Sequence, residues 1–403
     1  MSSWGQEKKD NMGFFSKFKA ENLEQDFLRL IKGKNHSVGD KIALGVLFFA
    51  SRFYRAAVQT RIWLYDNRVI RNRSIGCLVV SIGNLSCGGT GKTPVVEVFA
   101  RSITSQGRKV AILSRGYRSK KRTFAEKMAH RFAHKKIELP PRIVSDGNDL
   151  LLNAREAGDE PYMLASNLKN VSVIVDKDRV KSGLYAIENF KTDVLILDDG
   201  FQYLMLKPHI NIALVDSTDP FSNGHVLPRG LLREPVKNIR RADYIFLTKS
   251  DGSHKLKHLQ TFIRRYNKRA EIIECCHRPQ YLEEVFHRGN VMELEALQNA
   301  KVASISAIAC PASFEKFLED HGAEIVERIH YADHHAYTEQ EIIDFINAAK
   351  KSGAEYILTT EKDAVRIPKI DRTDIPILFL RIQIDILSGQ ESFDQCIKRI
   401  CFL

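Results

Sequence analysis

Apolar residues follow two alternating patterns along most of this 403-residue chain. Short, mostly apolar runs at 77–82, 110–113 and 194–197 are bounded by glycine or polar residues, which is typical of strands buried on both faces. The stretches between such runs carry apolar residues at helical spacing, as at 95–105. Because strands that alternate with helices usually form one layered sheet, the pattern predicts an α/β fold with a doubly wound, mostly parallel sheet.

The same pattern predicts three parts. Residues 1–75 are expected to form an N-terminal extension with an amphipathic helix, 76–278 a larger α/β domain, and 279–403 a smaller α/β domain. Pro279 and the less regular segment around Gly289 predict the boundary between the two domains. Beyond that boundary, strands are expected within VASISAI, EYILTTEKD and ILFLRIQI.

The amphipathic helix is predicted at 41–65 and combines an apolar stripe with many basic residues. The stripe consists of Ile42, Val46, Phe49, Phe53, Ala57 and Leu64. The basic residues in and just after the helix are Lys41, Arg52, Arg55, Arg61, Arg68, Arg71 and Arg73. The unbroken apolar run at 42–50 is too short to span a bilayer. The helix therefore predicts contact with an anionic membrane surface, and the alternative is a helix packed on the protein's own core.

A glycine-rich stretch, SIGNLSCGGTGKTP at 81–94, lies between a predicted strand and a predicted helix. Its glycines let the backbone fold tightly and direct several N–H groups at one anion on the helix N-terminus. Lys92 adds a positive charge, and the Thr93 hydroxyl can ligate the Mg²⁺ that accompanies a nucleotide. Ser86 stands where the usual G-x-x-x-x-G-K-[ST] spacing has its first glycine. The stretch still predicts the phosphate-binding loop of a P-loop fold.

Acidic residues at the end of a predicted strand indicate a metal site. The sequence DVLILDDG places Asp198 and Asp199 after a strand that is apolar on both faces, where P-loop folds hold Mg²⁺. Arg115 follows another strand end and is predicted to contact phosphate. A single helix is predicted at 149–168 and contains the sequence GDEP. The paired histidines at 334–335 lack a third ligand at the spacing of a metal site.

Composition limits the partners. The net charge of +12 favours an anionic partner, although charge alone does not distinguish nucleotide, nucleic acid and lipid surface. The basic run at 118–136 is interpreted as a solvated helix or loop, with a phosphate-attracting patch as the alternative. Seven cysteines without a C-x-x-C motif argue against a secreted disulfide scaffold and indicate a reducing compartment. Residues 1–40 lack the continuous apolar core of a cleavable signal.

The order of the motifs resembles one family, the tetraacyldisaccharide 4'-kinases of lipid A synthesis in Gram-negative bacteria. The resemblance extends from near Lys41 to Arg366. The matching stretches are VSIGNLSCGGTGKTP, SRGY, GDEP, DDGFQ, LPRGLLREP, DHH and TTEKDAVR. Tyr203 departs from the family pattern, because a histidine usually follows DDGFQ, and this departure bears on the shape of the acceptor pocket.

The resemblance implies a reaction and a cellular location. The γ-phosphoryl group of ATP would pass, with Mg²⁺, to the 4'-hydroxyl of a tetraacylated disaccharide 1-phosphate to give lipid IVA. The enzyme would be a peripheral membrane protein at the cytoplasmic face of the bacterial inner membrane. Its implied partners are the acylated disaccharide lipid and an anionic membrane surface, with no nucleic acid. The sequence does not predict the oligomeric state.

The resemblance also implies roles for individual residues. Asp159 of GDEP would be the general base, and His334 of DHH would be its partner. ATP would be bound by Ser86, Gly88, Gly89, Thr90, Gly91, Lys92 and Thr93. The metal shell would include Thr93, Asp198 and Asp199. Contacts with substrate or phosphate are expected from Arg115, Glu160, Gln202, Arg233, Glu234 and Asp333.

A second class of function stays open at this point. The sequence LTKSD at 247–251 follows a predicted strand and contains the T-K-x-D arrangement that reads guanine in GTPases. This motif would fit a membrane-associated P-loop GTPase or ATPase switch. Such a switch would leave GDEP and DHH without a role, so the kinase is the favoured hypothesis.

Overall fold

The computed structural model describes residues 27–31, 33, 37–116, 139–253, 255–372 and 374–402. Tyr117 of the SRGY stretch and the basic run at 118–136 lie outside these described residues. The described residues divide into two compact units. The first unit takes them from Met1–Ile70, Leu85–Gly88 and Asp219–Ile239, and the second from Arg71–Asn84, Gly89–Thr218 and Arg240–Leu403.

The second unit is built on one large sheet. Its described strands are β1 Leu78–Asn84, β2 Val110–Ser114, β3 Arg142–Ser145, β4 Val171–Val175, β5 Val194–Asp198, β6 Ile210–Asp216, β7 Tyr244–Thr248, β8 Glu271–Glu284, β9 Val291–Met292, β10 Lys301–Ser306, β11 Glu324–His330, β12 Tyr356–Thr360 and β13 Ile377–Ser388. Their order is β11-β10-β12-β13-β8-β7-β6-β1-β5-β2-β4-β3, and β9 pairs with β8.

Most strand pairs in this sheet are parallel, which confirms the predicted fold class. Among the described strands, only the pairs β3–β4, β8–β9 and β8–β13 are antiparallel. β1 lies between β5 and β6, and both neighbours run parallel to it. Because the chain leaves β1 towards β2 on one side and returns to β6 on the other, the carboxyl end of β1 lies at a switch in strand order. Ligands of open α/β sheets bind in the crevice at such a switch.

Helices connect and cover the strands. The described helices are α1 Val38–Asp66, α2 Lys92–Ser105, α3 Ala154–Ala157, α4 Asp159–Asn167, α5 Arg179–Phe190, α6 Lys255–Arg264, α7 Pro311–Asp320, α8 Glu339–Lys351, α9 Glu361–Ala364 and α10 Gln390–Phe402, with 3-10 turns at Val236–Arg241 and Leu294–Leu297. The rings of Phe99 on α2, Phe246 on β7 and Phe393 on α10 meet edge to face in the main core, a favoured aromatic geometry.

The helix predicted at 149–168 is wrong in part. The structure has two helices here, α3 and α4, and Gly158 separates them with a φ of 93°. Only glycine adopts this backbone region at little cost, so the chain turns at Gly158 and a new helix begins at Asp159. The break sets Asp159 at the helix start, where backbone N–H groups favour a carboxylate.

Two long antiparallel strands, β8 and β13, connect the two sides of the sheet. β8 pairs with β7 in parallel and with β13 in antiparallel orientation, and β13 in turn pairs with β12. Pro279 lies inside β8 opposite Ile382, next to a shift in register. The boundary predicted at 278/279 therefore falls within a strand, and the division into 1–75, 76–278 and 279–403 stays a prediction.

The first unit contains the long helix α1. Ser37 caps it: the Asp40 backbone N–H donates to Ser37 Oγ at 3.1 Å, and the Ser37 N–H donates to Asp40 Oδ2 at 2.9 Å. This capping box explains why the helix begins before the predicted start at 41. Phe49 and Phe53 of the predicted stripe are exposed. Within the described residues, no helix has the length and apolar character that a membrane span needs.

Candidate active site

The phosphate-binding loop lies between β1 and α2. In the second unit, Gly91 immediately precedes α2 with a φ of 74°, in the left-handed region. A Cβ atom at Gly91 would lie 2.6 Å from His277 Nε2. Glycine is therefore required by both the backbone angle and the neighbouring ring. Thr93 is buried in the first turn of α2, and the N–H groups of this turn form an anion-binding helix terminus.

Three side chains hold the loop from the sheet side. Thr248 Oγ1 donates to the Thr90 carbonyl oxygen at 2.8 Å, and Lys249 Nζ donates to the Gly89 carbonyl oxygen at 2.8 Å. Asn84 Nδ2 donates to Thr90 Oγ1 at 3.0 Å. Thr248 and Lys249 belong to the LTKSD stretch, so in this structure these two residues fix the phosphate loop.

Lys92 links the loop to the predicted acidic pair. Its Nζ lies 3.7 Å from Asp199 Oδ1 and 3.5 Å from Asn84 Oδ1. Asp198 ends β5 directly beside Ile82 of β1, because these two residues are partners in the parallel register. The sheet thus brings both predicted carboxylates to the loop, as the strand pattern predicts.

Asp198 is buried among other acids. Ser114 Oγ donates to Asp198 Oδ2 at 2.9 Å. The pKa of Asp198 is raised to about 6, first by burial and then by the negative charges of Glu160 and Asp199, while the Ser114 hydrogen bond and the charge of Lys92 oppose this rise. A buried carboxylate in this environment is costly to ionise without a cation, and its oxygens are the ligands that Mg²⁺ prefers. Thr93, Asp198 and Asp199 therefore fit a magnesium ion.

No group of three or more histidine, cysteine or acidic side chains forms a metal-binding cluster in the described part of the chain. Two carboxylates and one hydroxyl make an incomplete shell. A nucleotide's phosphate oxygens would complete such a shell, which is the usual arrangement for Mg²⁺ at phosphoryl-transfer sites.

Arg179 is a buried cation behind the acids. Its Nη2 donates to the Asp198 carbonyl oxygen at 3.0 Å, and its guanidinium stacks on the Tyr203 ring at 5.0 Å. The Arg179 backbone N–H donates to the Tyr203 hydroxyl oxygen at 3.0 Å. Burial lowers the pKa of Arg179, and the nearby positive charge of Arg115 adds to that effect while the acids oppose it. Tyr203, the departure from the family pattern, thus orients Arg179.

Gln202 of DDGFQ contacts the phosphate loop's strand. Its Nε2 donates to the Asn84 carbonyl oxygen at 2.9 Å. This contact ties the turn after β5 to the end of β1. A contact between Gln202 and substrate stays a prediction.

A second group of polar residues surrounds Asp159. Asp159 Oδ2 lies 3.1 Å from His334 Nδ1 and accepts a hydrogen bond from Arg366 Nε at 2.8 Å. Burial by itself would raise the pKa of Asp159, but the His334 hydrogen bond and the Arg366 charge hold that pKa below its ordinary value. Asp159 is therefore ionised at neutral pH and can accept a proton.

The loop around His334 is held in a special conformation. His334 has a φ of 66°, in the left-handed region, and its N–H donates to the Ala307 carbonyl oxygen at 3.1 Å. The same carbonyl accepts from Arg366 Nη1 at 3.2 Å. Asp333 Oδ1 lies 3.9 Å from His334 Nε2 on the other side of the ring. The structure thus brings together Asp159 and His334, two residues that are 175 positions apart in the sequence.

Glu160 connects the two groups. Its Oε1 accepts from Lys362 Nζ at 3.2 Å, and its charge is close enough to Asp198 to raise the pKa of that residue. Glu160 directly follows Asp159 at the start of α4. Asp159 and the acids at the phosphate loop therefore lie near one another.

The remaining predicted residues lie in the first unit. Ser86 pairs with Leu232 in an antiparallel bridge, and Arg233 N donates to the Leu85 carbonyl oxygen at 2.7 Å. Glu234 is buried, and its Oε2 accepts from Asn238 Nδ2 at 2.8 Å. Gly88 has a φ of 120°. The predicted roles of these residues towards ATP and substrate stay predictions.

Comparison with known proteins decides the family. The model of the family described as Tetraacyldisaccharide-1-P 4'-kinase matches residues 44–401. This chain belongs to that family. Membership of the family confirms the resemblance and the kinase function inferred from it, and the switch hypothesis is not favoured.

Curated relatives carry the same family name. The chain is 33% identical over 361 residues to the tetraacyldisaccharide 4'-kinase of Halothermothrix orenii, covering 87% of this chain and 90% of the relative. It is 36% identical over 359 residues to that of Syntrophus aciditrophicus, covering 86% and 90%. It is similar to a crystal structure of Aquifex aeolicus LpxK in complex with ATP, with 28% identity, a TM-score of 0.69, and coverage of 89% of this chain and 100% of that one.

In this tetraacyldisaccharide-1-P 4'-kinase family member, a buried ion network joins the loop helix α2 to α4. Arg381 of β13 pairs with Glu97 of α2 and with Glu361 of α9. Asn167 at the end of α4 donates to both glutamates. Because both helices carry predicted site residues at their N-termini, the network fixes the spacing between the middle of α2 and the C-terminal end of α4.

Sequence reasoning missed several residues of this kinase site. Thr248 and Lys249 were associated with guanine, whereas both hold the phosphate loop. Arg366 lies in a motif matched to the family, TTEKDAVR, to which no role was given. A signal existed, because a charged motif that follows a buried strand is a candidate site position. The sequence does not show which group the Arg366 side chain contacts.

Proposed function

We propose that this chain transfers the γ-phosphoryl group of ATP to the 4'-hydroxyl of tetraacyldisaccharide 1-phosphate, in the way its family membership implies. One observation carries the mechanism. Glu160 follows Asp159 at the start of α4 and is close enough to Asp198 to raise the pKa of that residue, so the proposed base lies near the acids at the phosphate loop. Phosphoryl transfer needs a phosphate cradle, neutralisation of charge and a base near the attacking hydroxyl.

The nucleotide is bound through the loop. The first-turn N–H groups of α2 and the Lys92 ammonium would bind the phosphates, and Gly89–Thr93 would wrap them. The related Aquifex aeolicus structure is a complex with ATP, which supports ATP as the nucleotide. Thr93, Asp198 and Asp199 would hold Mg²⁺. When bound, the ion neutralises phosphate charge that develops during transfer.

Asp159 accepts the proton in this proposal. The 4'-hydroxyl oxygen forms a bond to the γ-phosphorus as the bond from that phosphorus to the β-phosphate bridging oxygen breaks, and ADP leaves. The hydroxyl proton passes to the Asp159 carboxylate, which is ionised because its pKa is lowered. His334 contacts Oδ2 of the same carboxylate and acts as the partner of the base.

We also propose that the enzyme is peripheral at the cytoplasmic face of the inner membrane. Phe49, Phe53 and Trp63 of α1 expose large apolar side chains. Arginines of the same helix would attract anionic lipid headgroups. A lipid-borne acceptor makes such contact useful, because the substrate's acyl chains stay in the bilayer.

The mechanism is tested by an Asp159→Asn substitution. We expect kcat to fall by at least about 100-fold, because the amide cannot accept the hydroxyl proton. The KM for ATP should stay within about threefold, since the loop contacts are unchanged. Steady-state kinetics with the disaccharide acceptor provides the measurement.

Asp320→Asn is the matched control, because Asp320 is an exposed aspartate at the end of α7. It should turn over like the wild type. Normal turnover of Asp159→Asn would remove Asp159 from the mechanism. If the protein were activated by GTP in place of ATP, that result would instead favour the nucleotide-switch hypothesis.

A further inference from the structure

Arg366 occupies a central position that the family resemblance gave no role. Its guanidinium is almost fully buried and makes four polar contacts: Nε donates to Asp159 Oδ2 at 2.8 Å, Nη1 donates to the carbonyl of Ala307 at 3.2 Å and to Asp363 Oδ1 at 3.1 Å, and Nη2 lies 3.0 Å from His334 Nδ1. Because the guanidinium is planar and rigid and all three of its nitrogens make polar contacts, it fixes the position of each group that it contacts.

The contacts of His334 Nδ1 compete with one another. This nitrogen lies 3.1 Å from Asp159 Oδ2 and 3.0 Å from Arg366 Nη2. A ring nitrogen either carries a proton and donates, or has a lone pair and accepts. If Nδ1 donates to Asp159 it cannot accept from Arg366, and the converse also holds. Arg366 therefore participates in deciding which tautomer His334 adopts.

The two carboxylate oxygens of Asp159 are used unequally. Arg366 and His334 both contact Oδ2. Within the described residues, the polar contacts of the Asp159 carboxylate are all made through this one oxygen. Oδ1 can therefore receive the hydroxyl proton of an acceptor. A carboxylate held through one oxygen keeps its other oxygen in a fixed direction, which is what a general base requires.

We propose that Arg366 is a positioning residue for the kinase reaction: it fixes Oδ2 of Asp159 and the ring of His334 so that Oδ1 faces the acceptor hydroxyl. This inference rests on the proposed function, because it assigns Asp159 as the base. Arg366 acts through Asp159 and His334 and does not itself contact substrate.

The charged groups around this arrangement come from several elements. Asp159 and Glu160 start α4, Asp333 and His334 lie on one loop, and Lys362, Asp363 and Arg366 lie in or just after α9. Of these, Arg366 contributes a permanent positive charge in hydrogen-bond contact with Asp159. Removal of that charge lets the pKa of Asp159 rise, so the base is protonated at a higher pH than in the wild type.

The test compares Arg366→Gln, Arg366→Lys and Arg366→Ala with wild type and with Arg328→Gln. Arg328 is a half-exposed arginine of β11 that pairs with Glu315 and Glu319, outside the site. We would measure kcat, the KM for ATP and the pH dependence of kcat with the disaccharide acceptor. Thermal unfolding and ATP binding of each variant would report whether it folds.

For Arg366→Gln we expect kcat to fall about 10- to 100-fold with the KM for ATP within about threefold. The acid limb of its kcat profile should move to higher pH by about one unit or more. Arg366→Lys keeps the charge without the fork, so it should keep more activity and a smaller shift of the limb. Added guanidinium ion, and not sodium chloride at equal ionic strength, should partly restore the activity of Arg366→Ala.

A kcat of Arg366→Gln within about threefold of wild type would overturn the proposal. So would a large loss with an unmoved acid limb and no rescue by guanidinium, because a purely structural role predicts that result. If Arg366→Gln does not fold, the Arg366→Lys profile decides between the same outcomes. Failure of the wild type to phosphorylate the acceptor would instead contradict the proposed function itself.

Discussion

At the residue scale, two aspartates of the site lie in different electrostatic environments. Burial and neighbouring acids raise the pKa of Asp198, whereas the contacts with His334 and Arg366 outweigh burial and lower the pKa of Asp159. Carboxylates whose environments push their pKa values apart usually have different tasks. Asp198 suits a cation ligand and Asp159 suits a base, which agrees with the roles that the family resemblance implies.

Gly91 offers a test of the phosphate loop at the same scale. In Gly91→Ala, the new Cβ meets His277 and the backbone stays in the left-handed region, so we expect ATP affinity to fall at least about tenfold. Gly107→Ala is the control, because Gly107 has a φ of 81° with open space around it. Isothermal titration with ATP provides the measurement.

A double variant separates the two causes. Gly91→Ala with His277→Ala should recover part of the ATP affinity, because the clash is removed while the backbone strain remains. If Gly107→Ala weakens ATP binding as much as Gly91→Ala, the loop conformation does not determine affinity.

At the element scale, the sequence predicted the strands and loops well and the long-range pairs poorly. β1, β2 and β5 occur where apolar runs predict them, because such runs are a local signal. β8 was missed, since Pro279 interrupts its pattern. Pro279 pairs with Ile382 and Tyr281 pairs with Arg381, so Gln280 is skipped in the pairing and the strand forms a bulge. Proline has no backbone N–H to donate to the sheet, and it is tolerated at such a bulge.

The candidate site was predictable only as separate motifs. The phosphate loop and Asp198 were predicted from the sequence pattern, Asp159 and His334 were named from the resemblance, and the structure brings Asp159 and His334 into contact. The contacts of Arg366 and Lys249 were not predicted, because they depend on which backbone carbonyl or carboxylate the fold places beside each residue. Sequence periodicity carries no information on such contacts.

The ion network between α2, α9 and β13 is also tested at this scale. Arg381→Met leaves Glu97 and Glu361 buried without their shared cation, so we expect a loss of about 3–5 kcal/mol in the free energy of unfolding. Arg328→Gln, which removes a partly exposed pair, should cost less than about 1 kcal/mol. Urea unfolding of both variants provides the comparison, and equal losses would contradict a structural role for the network.

At the scale of the whole molecule, charge and apolar surface point to a membrane. The chain carries a net charge of +12, and α1 exposes Phe49 and Phe53. A basic, amphipathic helix binds an anionic interface by burying its apolar face and pairing its charges with headgroups. Neither property alone would distinguish a membrane from another anionic partner.

The membrane proposal predicts a specific defect. Phe49→Asp with Phe53→Asp should weaken binding to phosphatidylglycerol vesicles at least about tenfold, since each phenylalanine buried in the interface is worth about 2 kcal/mol. Leu184→Asp, an exposed apolar position on α5, is the control. Sedimentation with vesicles measures binding, and ATP affinity should not change. Equal binding of the double variant and the wild type would place the membrane contact elsewhere.

A labelling experiment shows whether the enzyme transfers the γ-phosphoryl group of ATP to the 4'-hydroxyl and whether the transfer depends on Asp159. Purified protein is incubated with γ-labelled ATP, Mg²⁺ and tetraacyldisaccharide 1-phosphate, and the position of the label in the lipid product is determined. We expect label in the 4'-phosphate of the disaccharide in the wild type and almost none in Asp159→Asn. Label that stays in ATP or is released as inorganic phosphate, or a lipid product labelled equally by Asp159→Asn, would contradict this mechanism.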